Sequence, residues 1–423
     1  MDDPPRIAIL GAGPMGLEAA LYARYLGYSV QLFERGESAA ANVLAWGHVH
    51  LFTPTKMNIS PLGVAALQAQ NPKWECPLPE SLWSGLECYD RYWKRLAQSD
   101  LIAGVLECNT EVVAIGRQGW LKKEGVGDQQ RSESPFALLL RNSDGTERTA
   151  IADVVIDCTG TYGNHNWLGQ GGIPALGETA AEIKIEYGLP DLCGRDKQQY
   201  LGKHTLVVGS GYSAATVVAQ LSHLAVDQQY PGMQITWITR GEAAEPIRRI
   251  AHDRLQSRDE LAKQANTLAT GNDTGVTHYP ATTIVAVQYR GETDDFEVEL
   301  TGSQSGKFLF DRIIANIGYH PDNKIYSELQ VHECYASGGP MKLAAQLMSS
   351  AGDSSADCLD QTSCGPASLL NPEPNFFILG SKSYGRNTQF LLSIGLQQIR
   401  DLFSIIAERD DLDLYATMPR VEP

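Results

Sequence analysis

The segment Arg6-Ile-Ala-Ile-Leu10 runs straight into Gly11-Ala-Gly-Pro-Met-Gly16, and this junction constrains the chain more than any other. An apolar run feeding glycines spaced G-x-G-x-x-G reads as a strand entering a tight turn. Leu17, Ala20, Leu21 and Tyr25 then recur at helical spacing up to Gly27, and Ser29 to Phe33 returns as a strand that ends on Glu34. Strand, glycines, helix, strand and acid together meet the structural context of a dinucleotide-binding β-α-β unit. Gly11 permits the turn, Gly13 lets backbone N–H groups approach a pyrophosphate, and Gly16 lets helix and strand pack closely. Pro14 and Met15 open the helix, whose N-terminus carries positive partial charge toward the phosphates. Glu34, followed by Arg35, is placed to accept hydrogen bonds from ribose hydroxyls. A Glu34 that is merely solvated would leave the glycine spacing unexplained.

A second unit follows near mid-chain. Thr205 to Val208 is expected as a strand, Gly209-Ser210-Gly211-Tyr212-Ser213-Ala214 as the turn, and Val217, Val218, Leu221 and Leu224 as one face of a helix. Ala214 takes the place of the third glycine, which the fingerprint tolerates. The next strand, Gln234 to Ile238, ends in Thr239-Arg240, after an extended turn expected over 227–232. A basic residue where the first unit has an acid suits a ribose 2′-phosphate, so Arg240, backed by Arg248 and Arg249, points to NADPH over NADH. The alternative is a solvated basic start to a helix.

Val112 to Ile115, Phe136 to Arg141 and Ala152 to Ile156 read as further strands, the last leading into Asp157-Cys158-Thr159-Gly160. Ile313 to Asn316, followed by Ile317-Gly318, repeats that ending, so the chain carries its architecture twice. Residues 349–368 are rich in Ser, Asp and Gly and read as loop. Asn375 to Leu379 is a final strand and Gly380 to Asn387 a turn. Thr388 is the expected cap of a last helix with Phe390, Leu391, Ile394, Leu402 and Phe403 on its apolar face.

Composition removes several function classes. Among 423 residues, 34 Lys and Arg face 50 Asp and Glu, a formal net charge of −16, so the basic footprint of a nucleic-acid binder is missing. No apolar run reaches the roughly 18 residues of a membrane helix, and the first residues lack the pattern of an export signal, so membrane insertion is not expected and a cytoplasmic location is. Eight cysteines scattered through such a chain are expected as thiols, and Cys358 and Cys364, the nearest pair, have neither redox-active spacing.

These motifs resemble the two-dinucleotide-binding-domain flavoproteins, the superfamily of flavin-containing monooxygenases and thioredoxin-reductase-like enzymes, over nearly the whole chain. The resemblance implies an α/β fold of two Rossmann-like domains. An FAD-binding domain would comprise residues 1–165 and 313–423, and an NAD(P)H-binding domain, residues 166–312, would be inserted in it. It further implies FAD at the first glycine unit, a chain crossing near the flavin at Thr159 and Gly160, and NADPH at Gly209, Gly211, Tyr212, Ser213, Ala214 and Arg240. A second FAD contact is implied at Gly380 and at the backbone of Asn387, Thr388 and Gln389, where the last helix would begin. More narrowly, Leu51-Phe52-Thr53-Pro54 and Gly380 to Leu392 resemble bacterial proteins catalogued as flavoproteins involved in potassium transport. The chain also departs from the pattern. The monooxygenase signature cannot be read at Ile185 to Asp191, no C-x-x-C or C-x-x-x-x-C pair exists, and Ser381 stands where disulfide reductases carry an acid.

The function expected is therefore an FAD-dependent, NADPH-using oxidoreductase, monooxygenase-like or reductase-like, acting on a small molecule. In it NADPH and flavin rings must stack for hydride to pass. A redox-sensing nucleotide-binding regulator, for example of an ion transporter, is the alternative. His165 is the candidate proton donor in the linker after Gly160, although a lone loop histidine is more often structural. Trp46, His48, His50, Lys56 and Asn58 are candidates for the cofactor and substrate side. His48 and His50 would share a face if the chain there is extended. No metal site and no nucleic-acid partner are expected, and homo-oligomers stay open.

Overall fold

The computed structural model describes residues 4–225, 232–271, 275–350 and 358–418. The chain divides into two compact units, Met1–Asn164 with His320–Pro423, and His165–Tyr319. The turn expected over 227–232 lies outside the described residues except for Gly232, as do 351–357 of the expected loop. The two residues before that gap close a helix instead, and short 3-10 turns follow it.

In the first unit, β1 (Arg6–Leu10), β2 (Ser29–Phe33), β3 (Leu106–Glu107), β7 (Val154–Asp157) and β15 (Phe376–Ile378) form a five-stranded parallel sheet in the order β15-β7-β1-β2-β3. β4 (Thr110–Arg117), β5 (Phe136–Asn142) and β6 (Glu147–Ala152) make a separate antiparallel meander. The helices of ten or more residues in this unit are α1 (Pro14–Tyr25), α2 (Pro61–Gln70), α5 (Met341–Ser350) and α6 (Leu392–Ile406).

Alternation along the strands divides the core between two faces, as a period of two requires. Ile7 and Ile9 join Leu17, Leu21 and Leu402 under the helices, whereas Ala8 and Leu10 join Ile115, Phe136, Leu138 and Leu140 under the meander. Both faces being covered explains why β1 and β7 are near-continuous apolar runs.

The second unit repeats the plan. β8 (His204–Val208), β9 (Gln234–Ile238), β10 (Val276–Tyr279) and β14 (Arg312–Ala315) form a parallel sheet in the order β10-β9-β8-β14. α3 (Tyr212–Ala225) and α4 (Gln256–Thr270) cover one face through Val217, Val218, Leu221 and Ala262. β11 (Thr282–Arg290), β12 (Asp295–Gly302) and β13 (Gly306–Phe310) cover the other with Ile284, Phe296, Val298 and Phe310. The duplication read from two glycine turns thus extends to the meanders.

The strand endings expected from sequence hold to within two residues. The boundary at 313 does not: β14 pairs with β8 residue by residue, from Arg312 with Thr205 to Ala315 with Val208, and so belongs to the second unit through Tyr319. Residue 165 likewise falls in the second unit, where His165 bridges to Tyr319.

Glu18 is a buried carboxyl on α1, facing the hydroxyls of Ser60, Tyr92 and Tyr415, and burial pushes it up to about 7. Its folded value lies above the unfolded one, so the stability it supports is full below pH ~4.5 and is lost as pH rises through about 7. Glu18→Gln should therefore flatten the pH dependence of unfolding. Relative to the native chain it should gain about 3 kcal/mol at pH 7.5 over pH 4.5, measured by denaturant titration.

Candidate functional site

Gly11 sits at φ +85°, a left-handed conformation that favours glycine, and its N–H donates to the Phe33 carbonyl at 2.7 Å. A Cβ there would lie 2.9 Å from the Cys158 carbonyl, and one on Gly16 would lie 1.8 Å from the Gly11 carbonyl. Nothing lies within 4 Å of a Cβ on Gly13, which precedes Pro14, the first residue of α1. Two glycines are thus needed by the protein itself, while the middle one borders open space at a helix N-terminus. That is the arrangement a pyrophosphate requires.

Glu34 closes this cradle. Its Oε2 accepts from Ala12 N and its Oε1 from Gly36 N, each at 2.8 Å. A carboxylate has about four acceptor positions, so two remain for ribose hydroxyls. The exposed Arg35 places a guanidinium nitrogen 3.3 Å from where a Cβ on Gly163 would be.

Thr159, expected at the chain crossing, belongs to a polar cluster with Asp157 and Lys382, neither of which was a candidate from sequence. The Asp157 Oδ1 accepts from Thr159 N at 3.0 Å and Thr159 Oγ1 at 2.6 Å. Lys382 Nζ donates to Asp157 Oδ2 at 2.6 Å and to Thr159 Oγ1 at 3.0 Å. Asp157 is fully buried and Lys382 only 2% exposed. The ion pair ties the end of β7 to the turn that follows β15. A signal was present, since Asp157 is a charge closing the apolar run Val154-Val155-Ile156.

Gly380, at φ +72°, and Gly395 both pack against the Met15 side chain, where a Cβ would meet it at 2.9 Å and 2.3 Å. Met15 is therefore a buried wedge between α1 and the C-terminal segment. Gln398 on α6 accepts from Gly380 N at 2.9 Å and donates to Ser383 Oγ at 3.0 Å, fixing the same turn.

Several expectations change here. The last helix begins at Leu392 with Leu391 as its cap, not at Thr388. Asn387 Oδ1 accepts from Gln389 N at 2.9 Å, an Asx turn that diverts the chain before the helix, so Asn387, Thr388 and Gln389 are loop residues. Trp46 packs its ring where a Cβ on Gly85 would be, 2.6 Å away. His48 lies in a turn, so it and His50 are not on one face of an extended segment. Lys56 pairs with Glu80, and Asn58 bonds with Thr53.

In the second unit, Gly209 sits at φ +134°, and a Cβ on it would lie 2.2 Å from the Asn316 carbonyl. Gly211 borders open space, Ala214 is fully buried, and Tyr212 and Ser213 begin α3. This repeats the division of labour seen at Gly11, Gly13 and Gly16. Arg240 is exposed just beyond β9. Arg249 is engaged by Asp259 at 2.8 Å, and both it and Arg248 lie in irregular chain well before α4, so they do not start a helix.

His165 is held within this unit. Nδ1 lies 2.9 Å from the Asn166 carbonyl, Nε2 lies 3.1 Å from Glu182 Oε1, and the ring stacks on Tyr187 at 3.5 Å. Both nitrogens thus have partners within this unit.

No protein-family description matches the chain, and no curated protein matches its sequence. Solved structures do match its fold. Bacillithiol disulfide reductase Bdr from Bacillus cereus superposes with a TM-score of 0.65 at 15% identity, covering 96% of this chain and 100% of that one. DfoA from Erwinia amylovora, a cadaverine monooxygenase bound to FAD, gives 0.64 at 15% identity over 100% of both chains. Thioredoxin reductase of T. acidophilum gives 0.57 at 16% identity over 96% and 99%.

The fold is thus that of these two-domain flavoproteins, with two Rossmann-like units, the second inserted in the first. The potassium-transport association drawn from 51–54 and 380–392 finds no support in these comparisons. Among the described residues no helix is long and apolar enough to cross a membrane.

Lys382→Met would strand the buried Asp157 carboxylate without its counter-charge. The expected loss is about 3–5 kcal/mol in denaturant unfolding, and the double change Asp157→Leu with Lys382→Met should recover most of it.

Proposed function

We propose that the chain is an FAD-dependent oxidoreductase that takes hydride from NADPH and delivers the electrons to a small-molecule acceptor or to oxygen. The observation that carries this reading is the pair of glycine cradles, each with its middle glycine facing open space at a helix N-terminus. Their different partners assign them. In the first unit Glu34 suits an unphosphorylated ribose and the Met15, Gly380 and Gln398 packing brings a second chain segment to the loop, so that unit is assigned FAD. In the second, Arg240 beyond β9 suits a 2′-phosphate, so that unit is assigned NADPH. The FAD-bound neighbour of the same fold supports the first assignment.

Bound together, the two cofactors would supply hydride transfer and electron storage. The protein's part is to hold them: backbone N–H groups and helix ends receive the pyrophosphates, Glu34 orients a ribose, and the Asp157–Lys382–Thr159 cluster fixes the turn that carries Gly160. An acidic chain can take two anionic cofactors because these donors act locally.

The electrons do not pass through a protein disulfide in this reading. The eight cysteines stand as thiols rather than in disulfides, and Cys158, the one beside the first glycine loop, is buried, with its thiol pushed well up by burial.

The deciding experiment reconstitutes the purified protein with FAD and mixes it anaerobically with NADPH. Rapid bleaching of the flavin absorbance is expected, and a protein that retains no flavin, or whose flavin NADPH leaves oxidised, defeats the proposal. Gly13→Val should fold normally yet lose flavin. Arg240→Ser should raise the Kd for NADPH about tenfold while leaving that for NADH within about twofold. Admitting oxygen with candidate substrates, and comparing peroxide released with product formed, separates oxygenation from reduction.

A further inference from the structure

β14 ends at Ala315, in register with Val208 of β8, so Asn316 stands beside Gly209 at the mouth of the second cradle. In open parallel sheets ligands bind past the carboxyl ends of the strands, where the strand order reverses. In the order β10-β9-β8-β14 that reversal falls between β8 and β14. Asn316 is therefore on the crevice by topology, before its chemistry is considered.

The residue is 8% exposed, and Nδ2 donates to the Gly188 carbonyl at 2.7 Å. Only the amide nitrogen can donate to a carbonyl, so this bond fixes which terminal atom is which. Oδ1 is then left buried with no hydrogen-bond partner. An unpaired buried acceptor is costly, and in a native structure it calls for a partner. The corresponding position of the first unit holds Cys158, whose carbonyl meets Gly11 as that of Asn316 meets Gly209. A thiol is a weak acceptor, so the amide oxygen answers to the ligand of the second unit alone.

The direction of that ligand follows from the sheet. Arg240 marks the adenosine end beyond β9 on one side of β8, and Gly211 marks the pyrophosphate. The other half of the dinucleotide then runs to the β14 side. The donors there are the nicotinamide carboxamide N–H and the hydroxyls of its ribose. We propose that Asn316 is a ligand-binding residue whose Oδ1 accepts a hydrogen bond from the nicotinamide half of NADPH, an assignment that rests on the NADPH reading above.

Calorimetric titration of the oxidised protein tests it with three probes: NADP+, 2′,5′-ADP, which lacks the nicotinamide half, and the 3-acetylpyridine analogue of NADP+, which lacks carboxamide N–H. Asn316→Ala should weaken NADP+ about tenfold and 2′,5′-ADP less than about twofold.

If the carboxamide is the donor, the native chain binds the acetylpyridine analogue about tenfold more weakly than NADP+, and Asn316→Ala erases that difference. If a ribose hydroxyl is the donor, Asn316→Ala weakens both dinucleotides alike. Either result supports the assignment. Unchanged NADP+ affinity in Asn316→Ala overturns it, as does equal weakening of 2′,5′-ADP. A native chain that binds neither NADP+ nor 2′,5′-ADP instead overturns the NADPH reading, and this assignment falls with it.

Discussion

Everything in this protein hangs on two places where backbone meets backbone without a side chain between. At Gly11 and Gly209 the turn after the first strand of each unit approaches the carbonyl just past the end of a neighbouring strand, Cys158 in one case and Asn316 in the other. Neither approach survives a Cβ. Because each pairs a turn near the start of a unit with a strand made much later in sequence, the glycine fixes a long-range contact as well as a local conformation. The parallel order of each sheet, with β7 beside β1 and β14 beside β8, is what brings those carbonyls there.

The elements nearest the glycines were legible in sequence because their signals are local. An apolar run, a glycine turn and a helical period fit inside one β-α-β unit, and β1, α1, β2, β8, α3 and β9 were all readable. The start of the last helix was not. Thr388 has the chemistry of a cap, but the Asn387 Asx turn spends the next residues on a bend, and helix geometry begins only at Leu392. The domain boundary erred for a related reason. Nothing local in Ile313 to Asn316 says which of two parallel sheets the strand will join, and its pairing partner is β8, more than a hundred residues earlier.

The site divides in the same way. Gly13, Gly211 and Glu34 could be assigned because backbone approach and acid position have a fixed spacing from the strand. Lys382 could not, since its partner Asp157 is far away in sequence, and a lysine in a Gly-Ser-rich turn reads as solvated until folding buries it. Asn316 is subtler still. What marks it is an oxygen without a partner, a property no linear pattern carries. His165 was legible by residue type and loop position, whereas the partners that hold it, Tyr187 and Glu182, became visible only in the fold.

The nesting of one unit inside the other bears on the order in which the chain can mature. His165 bridges to Tyr319 within the inner unit, and His320 N donates to the Asn164 carbonyl at 2.9 Å in the outer one, so each unit's two ends at the crossing are held together. A growing chain completes the inner unit as soon as Tyr319 has emerged. The outer unit at that moment has β1, β2, β3 and β7 but lacks β15 and α6, so the β7 edge of its sheet and the helical face of its core are still open. The later-starting unit is thus the earlier to finish. The outer unit must wait, partly built, until its last fifty residues are synthesised.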